Sequence, residues 1–186
     1  MGRWEPDAAG RLREAAMVLY AEQGFEGTTV AEIADRAGVT ARTFFRHFAD
    51  KREVLFAGSE ELERRMVDAL VAAPPSAGPM DAIAAALRSA ADLFADRRDY
   101  SRRRQAVIAA TPELREREFI KMASLVAAFT EALRKRGVEP AIASLAAETG
   151  VAVFRVAFER WIAGPDDADL ADVMRGTLAD LSGLTT

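Results

Sequence analysis

Residues 28–51 read TTVAEIADRAGVTARTFFRHFADK. The second half, 40–51, holds Phe44, Phe45 and Phe48, the cations Arg42, Arg46 and Lys51, and the only histidine of the chain, His47. The question is which of these side chains face a core and which face outward. Phe44 and Phe48 are four apart, so a helix places them on one face. They are expected to point inward onto Leu19, Ile33 and Leu55, each ring stabilising a small helical unit by roughly 1.5–3 kcal/mol. That leaves Thr40, Ala41, Arg42, Thr43, Phe45, Arg46 and His47 for the start and outer side of the helix.

The flanking residues tell where the helices begin and stop. Thr28 or Thr29 can cap a short helix over VAEIADRA, with Glu32 in place for a capping box. Gly38 breaks that helix, and a glycine accepts the positive φ of a tight corner. Ala34, four residues earlier, leaves room for the next helix to cross, while Ile33 and Val39 fill the wedge. Upstream, Leu12, Ala15, Ala16, Leu19 and Tyr20 mark the apolar face of a helix over roughly 8–23, capped by Asp7 and stopped at Gly24. Two short helices joined through a glycine after a longer one form a helix-turn-helix unit.

Further along, the periodicity predicts a helix from about Asp50 to Ala72, and APPSAGP, 73–79, reads as a linker. Further helices are expected at about 80–94, 99–110, 111–136, 140–162 and 168–182. TPEL, 111–114, is a well-formed start, and Gly137 and GP at 164–165 are stops. No strand or internal repeat is evident. The expected fold is all-α: an N-terminal three-helix helix-turn-helix domain over 1–50 and a larger helical bundle over 51–186, about nine helices in all.

Composition narrows the function. Half of the 186 residues are hydrophobic and there are no cysteines. Disulfides, thiolate metal sites and cysteine nucleophiles are therefore excluded, and one histidine excludes a multi-histidine metal site. No nucleophile–base set or phosphate-cradling glycine loop is present, so neither an enzyme nor a cofactor is expected. No apolar run is judged long enough to span a bilayer, and MGRWEPDAAGRLREAAM lacks the apolar block of a signal peptide. A cytoplasmic protein is expected. The net charge is −4, and residues 1–60 carry eight Lys/Arg against ten Asp/Glu. Affinity for DNA must then come from local clustering, as in 40–52, where Arg42, Arg46, Lys51 and Arg52 face one Asp50.

An amide-rich helix start bearing hydroxyls and arginines suits phosphates and base edges. Arg42 has the reach to read guanine O6 and N7 in a major groove. Thr40 and Thr43 offer hydroxyls, and Arg46, His47 and Lys51 suit phosphates. Taken singly, each also fits an ordinary solvated or packed residue.

The stretch 28–51 resembles the DNA-binding signature of the TetR family of transcriptional repressors. The shared features are the double threonine, IA, AGV, TFFRHF and the closing lysine; with the first helix, the resemblance covers about 8–56. It implies DNA contacts at Thr29, Thr40, Ala41, Arg42, Thr43, Phe45, Arg46, His47 and Lys51. Many family members have tyrosine where Phe45 stands, and a basic leader where this chain has Arg3, Glu5 and Asp7. RTFFRHF together with AATPELRERE, 109–118, is similar to a branch of that family associated with acyl-CoA-like ligands.

The resemblance further implies a homodimer through the last two helices and a small-molecule effector. Its identity is open, an acyl-CoA or another apolar compound. Ile142, Leu145, Val153, Val156, Trp161, Leu170, Val173, Met174, Leu178 and Leu181 offer apolar surface for pairing. Gly150 and Gly176 fit either a close seam between subunits or an ordinary core. Met66, Phe94, Tyr100, Met122, Leu125, Phe129, Phe154 and Phe158 are candidates for the ligand pocket, or for core. The RRR run, 102–104, reads as an anion contact or as a solvated face. The function expected is a ligand-responsive repressor on a palindromic operator. The alternative is a helical protein-interaction module that has lost specific DNA binding.

Overall fold

The computed structural model describes residues 7–184. They form helices joined by turns, with no strand among the described residues. The helices are α1 Ala8–Gly27, α2 Val30–Arg36, α3 Ala41–His47, α4 Ser59–Ala72, α5 Pro79–Ala91, α6 Arg98–Ala110, α7 Pro112–Lys135, α8 Pro140–Ala163 and α9 Leu170–Gly183.

Most boundaries follow local chemistry. Asp7 accepts the Gly10 amide at 2.7 Å and starts α1. The helix breaks at Gly24, where φ is 79° as the expected stop requires, and a further turn beyond the kink carries α1 to Gly27. Thr29, rather than Thr28, caps α2, and the capping box with Glu32 is complete. Thr28 is buried, and its hydroxyl donates to the Gly24 carbonyl at 2.8 Å. Gly38 turns the corner with φ 68°, which a Cβ would resist. Thr40 then caps α3 by accepting the Thr43 amide.

The helix expected from Asp50 begins only at Ser59. Asp50 caps a run of tight turns instead, accepting the amides of Arg52 at 2.8 Å and Glu53 at 3.1 Å. The amides of Leu55 and Phe56 bond three residues back, to Arg52 and Glu53. Val54, Leu55 and Phe56 are all buried. Three consecutive buried side chains do not fit one face of an α-helix, and the coiled turn turns all three inward.

The chain divides into two compact units. One comprises the described residues through Ala57 together with Arg103–Glu118; the other comprises Gly58–Arg102 and the described residues from Phe119 onward. Both divisions inside helices are notable: α6 and α7 each contribute to both units.

The first unit buries Leu12, Ala16, Leu19, Ile33, Ala34, Phe44, Phe48, Leu55, Ile108 and Leu114. In the second, α5 packs on α4, α8 and α9, and α8 packs on α9. Arg136 fastens α7 to the end of α4, donating to the carbonyls of Ala73 and Pro74 at 2.8 Å each. Gly150 sits where α8 crosses α5: a Cβ there would come within 2.6 Å of Ile83 Cγ2. Its place is therefore explained inside the subunit. Gly176 lies exposed on α9 with open space around it.

The expectation of no bilayer-length apolar run does not hold for α8. Its 24 residues include an 18-residue window of mean hydropathy 1.5, long and apolar enough to cross a membrane by length and composition. Packing accounts for part of that window, 44% of which is buried: Ala143, Ala146, Ala147, Gly150, Val151, Val153, Phe154, Ala157 and Trp161 lie in the helical bundle.

Candidate nucleic-acid interface

Helix α3 separates its side chains as the spacing predicts. Phe44 is fully buried and Phe48 nearly so, their ring centroids 5.6 Å apart. Thr40, Ala41, Arg42, Phe45, Arg46 and His47 are exposed, and Thr43 is half-buried. Phe45 is 58% exposed and rests edge-on against Phe44, 5.4 Å between centroids.

Arg42, Arg46 and His47 make no hydrogen bond or ion pair with any described residue, and each is open to solvent. Other arginines of this unit are engaged: Arg36 with Glu22 at 2.9 Å, Arg52 with Asp50 at 2.7 Å, Arg117 with Glu53 at 2.6 Å. Like Arg13 and Arg115, the cations of α3 are left uncompensated, and among the described residues of this unit α3 alone gathers three of them on one exposed turn and a half.

The threonines are partly occupied. Thr29 donates its hydroxyl and its amide to the Glu32 carboxylate, each at 2.8 Å, and accepts the Glu32 amide at 3.2 Å. The hydroxyl bond, then the amide bond, holds the Glu32 carboxyl below the usual carboxylate value. Thr40 and Thr43 share a hydrogen bond of 3.1 Å between hydroxyls.

Lys51 is expected on a phosphate, but its ammonium lies against the protein. Nζ donates to the carbonyls of Phe25 and Thr28 at 2.8 Å each and reaches that of Glu26 at 3.4 Å. Nothing in the local sequence signals this; it requires the end of α1 to pass over residue 51. Asp50, beside it, balances two effects: burial raises its pKa, and the hydrogen bonds from Arg52 and from the Glu53 and Arg52 amides lower it further than burial lifts it. The sequence reading of Arg3 and Glu5 lies outside the described residues.

The RRR run is neither free nor simply solvated. Arg102 donates to the Ile162 carbonyl at 2.9 Å and pairs with Asp166. Arg103 pairs with Glu14 at 3.4 Å. Arg104 donates to the Leu55 carbonyl at 2.7 Å, pairs with Glu118 at 3.2 Å and lies over the Phe56 ring. Arg104, with Arg117 on Glu53, ties the corner of α6 and α7 to the 51–57 turns within the first unit, and Arg103 ties it to α1.

Among the pocket candidates, Met66, Leu125, Phe129 and Phe154 are buried in one core cluster, with Phe94, Met122 and Phe158 packed at its margin. Tyr100 is half-buried. Phe94, Phe158 and Trp161 stack mutually, with centroids 5.2 to 6.3 Å apart. Of the apolar residues expected at a dimer face, Ile142 and Leu145 are exposed, whereas Val153, Trp161, Leu170 and Met174 are buried within the subunit. Val156, Val173, Leu178 and Leu181 are half-buried.

Residues 12–57 match the family described as bacterial regulatory proteins, tetR family, and residues 77–185 match the family described as MftR C-terminal domain. The chain is 38% identical over 79 residues to the HTH-type transcriptional regulator TcmR of Streptomyces glaucescens, covering 42% of this chain and 35% of that protein. It is 41% identical over 63 residues to the HTH-type transcriptional repressor KstR2 of Mycobacterium tuberculosis, covering 34% of this chain and 30% of that protein. These matches span about a third of each relative. None of these families or relatives is described as an enzyme.

The fold is shared more widely. A TetR-family regulator of Syntrophomonas wolfei superposes with TM-score 0.67 at 15% identity, covering 96% of this chain and 94% of that one. FadR of Bacillus subtilis, solved in complex with stearoyl-CoA, gives TM-score 0.62 at 18% identity, covering 92% and 96%. With a helix-turn-helix unit that presents α3 outward and family matches over both parts of the sequence, this all-helical chain belongs to the TetR family of bacterial regulatory proteins.

Proposed function

We propose that this chain is a cytoplasmic DNA-binding transcriptional repressor that acts as a homodimer and is released by a small, largely apolar ligand. The carrying observation is the outer side of α3: Arg42, Arg46 and His47 are exposed and unpaired beside the exposed Phe45 ring, while Phe44 and Phe48 hold the helix from within. Unpaired cations on a short exposed helix suit a polyanion. Arg42, at the second helical position, reads a base edge. Arg46 and His47 meet phosphates. Thr29, Thr40, Ala41, Thr43 and Phe45 complete the surface through hydroxyl, amide and van der Waals contact. In this reading 1–50 is the DNA-binding domain and 51–186 binds ligand and the second subunit.

Two copies of α3 would then enter successive major grooves of a near-palindrome, about one helical turn apart. Pairing through α8 and α9 is supported by the exposed Ile142 and Leu145 and by the open space over Gly176. An apolar ligand is supported by the methionine- and phenylalanine-rich cluster of the second unit, and an acyl-CoA specifically by the structural likeness to a FadR that holds stearoyl-CoA. Since α6 and α7 each run through both units, a ligand-driven shift of either helix reaches the first unit without a separate relay. A coupling of about 1–3 kcal/mol changes operator occupancy by roughly 5–150-fold, and DNA weakens the ligand by the same factor.

The test is binding of the full chain to DNA from its own upstream region, followed by gel shift across a salt series. Specific binding that weakens steeply with salt is expected. The acidic excess over residues 1–60 favours the protein-interaction module as the second reading, and the absence of binding to any DNA would select it.

A further inference from the structure

Lys51 is the one cation of the expected DNA-contact set that the fold draws away from solvent. Its ammonium has three N–H donors. Three carbonyls surround it: Phe25 and Thr28 at 2.8 Å and Glu26 at 3.4 Å. The fourth side is the Phe25 ring, whose centroid lies 4.4 Å from Nζ, close enough for a cation–π attraction. No donor is left for a phosphate oxygen.

The carbonyls involved lie in the last turn of α1, at Phe25 and Glu26, and at its cap, Thr28; that of Phe25 also accepts the Thr28 amide at 3.2 Å. The negative end of the helix dipole is also there, which favours a cation. Neighbouring groups satisfy the rest of the corner. Thr28 donates its hydroxyl to the Gly24 carbonyl, and Gln23 donates its side-chain amide to the Gly27 carbonyl at 3.2 Å. The clasp also closes in the opposite direction: the Tyr20 hydroxyl donates to the Lys51 carbonyl at 2.6 Å. Tyr20 and Phe25 are in ring contact, 5.3 Å between centroids. One residue after this corner, Thr29 caps α2, which leads into α3 through the Gly38 turn.

We propose that Lys51 is a positioning residue for DNA recognition: it locks the α1–α2 corner from inside, and so sets the orientation of α3, without neutralising a phosphate. The proposal rests on the DNA-binding reading above for its consequence, but the clasp itself is testable without DNA.

Two variants and two readouts separate the roles. Lys51→Met removes the ammonium; Lys51→Arg keeps the charge but offers a planar fork in place of three tetrahedrally spread donors. Hydrogen exchange of the DNA-free protein is expected to rise over 25–30 and 41–47 in both. Affinity for the upstream DNA is expected to fall about tenfold or more in both, while the slope of log K against log salt stays that of the wild type. A phosphate contact gives the opposite pattern: Lys51→Met flattens the slope by about 0.9 for each subunit, Lys51→Arg binds like the wild type, and exchange is unchanged. Either unchanged exchange or a flattened slope overturns the proposal. If Lys51→Met does not fold, Lys51→Arg decides by the same criteria. If the wild type binds no DNA, the functional reading fails on its own, and exchange alone then supports or overturns the clasp.

Discussion

At the residue scale, Arg42 and Arg46 are distinguished by their place on α3. Arg42 is in the first turn, Arg46 in the last. Arg42→Ala is expected to weaken operator binding by about 1–3 kcal/mol and to relax selectivity at one base pair in each half-site; Arg46→Ala is expected to weaken all sequences alike and to flatten the salt slope by about 0.9 for each subunit. Affinities across a set of single-base operator variants measure both. The two glycines within helices make a second contrast. Gly150→Ala forces a Cβ to within 2.6 Å of Ile83, and overpacking of that kind destabilises by about 1–3 kcal/mol. Thermal unfolding should register the loss, and Ile83→Ala, which removes the clashing Cγ2, should cost less together with Gly150→Ala than alone. The spacing alone left Gly150 open between a subunit seam and the core, because a helical pattern shows which face is apolar and not which neighbour covers it. Phe44 and Phe48 were legible for the converse reason: two large rings four apart beside charged residues have one sensible inward face.

At the element scale, short-range chemistry was the readable part. The threonine caps, the Glu32 capping box and the Gly38 turn follow from residues within four positions of one another. The late start of α4 did not, since the turns over 51–58 bury Val54, Leu55 and Phe56 against a surface that only the folded unit provides. Lys51 was misleading for the same reason, its partners lying at Phe25, Glu26 and Thr28. The α2 cap carries a pH prediction. Hydrogen bonds from Thr29 lower the Glu32 pKa in the folded chain. A carboxyl with a depressed folded pKa contributes stability that is fully present above its unfolded value and is lost as pH falls through the folded one. Glu32→Ala should therefore reduce stability at neutral pH and make the acid limb of the unfolding curve shallower. Thr29→Ala, which removes the cap itself, is expected to cost about 1 kcal/mol at neutral pH by thermal unfolding.

At the scale of the whole molecule, the contribution of 103–118 to the first unit was hidden in the sequence. The RRR run reads as surface charge, yet Arg103 and Arg104 meet Glu14, Leu55 and Glu118. The contacts with Leu55 and Glu14, across 49 and 89 positions, have no signature in a local pattern. Arg104 gives the corner of α6 and α7 a firm hold on the 51–57 turns, and Arg117 on Glu53 adds to it. Arg104→Ala is accordingly expected to leave operator binding within about threefold of the wild type but to weaken release by effector. Operator affinity measured with and without a long-chain acyl-CoA checks this; an unchanged response would remove the corner from the coupling route.

The central claim is that the outer side of α3 lies against duplex DNA, and anisotropy of a labelled upstream fragment tests it with the wild type and the Arg42→Ala, Arg46→Ala double variant. The account predicts wild-type binding that falls by about 10³-fold or more between 50 and 200 mM salt, and loss of at least about 100-fold in the double variant at unchanged melting temperature. A double variant that still folds and binds the fragment as the wild type does would contradict it.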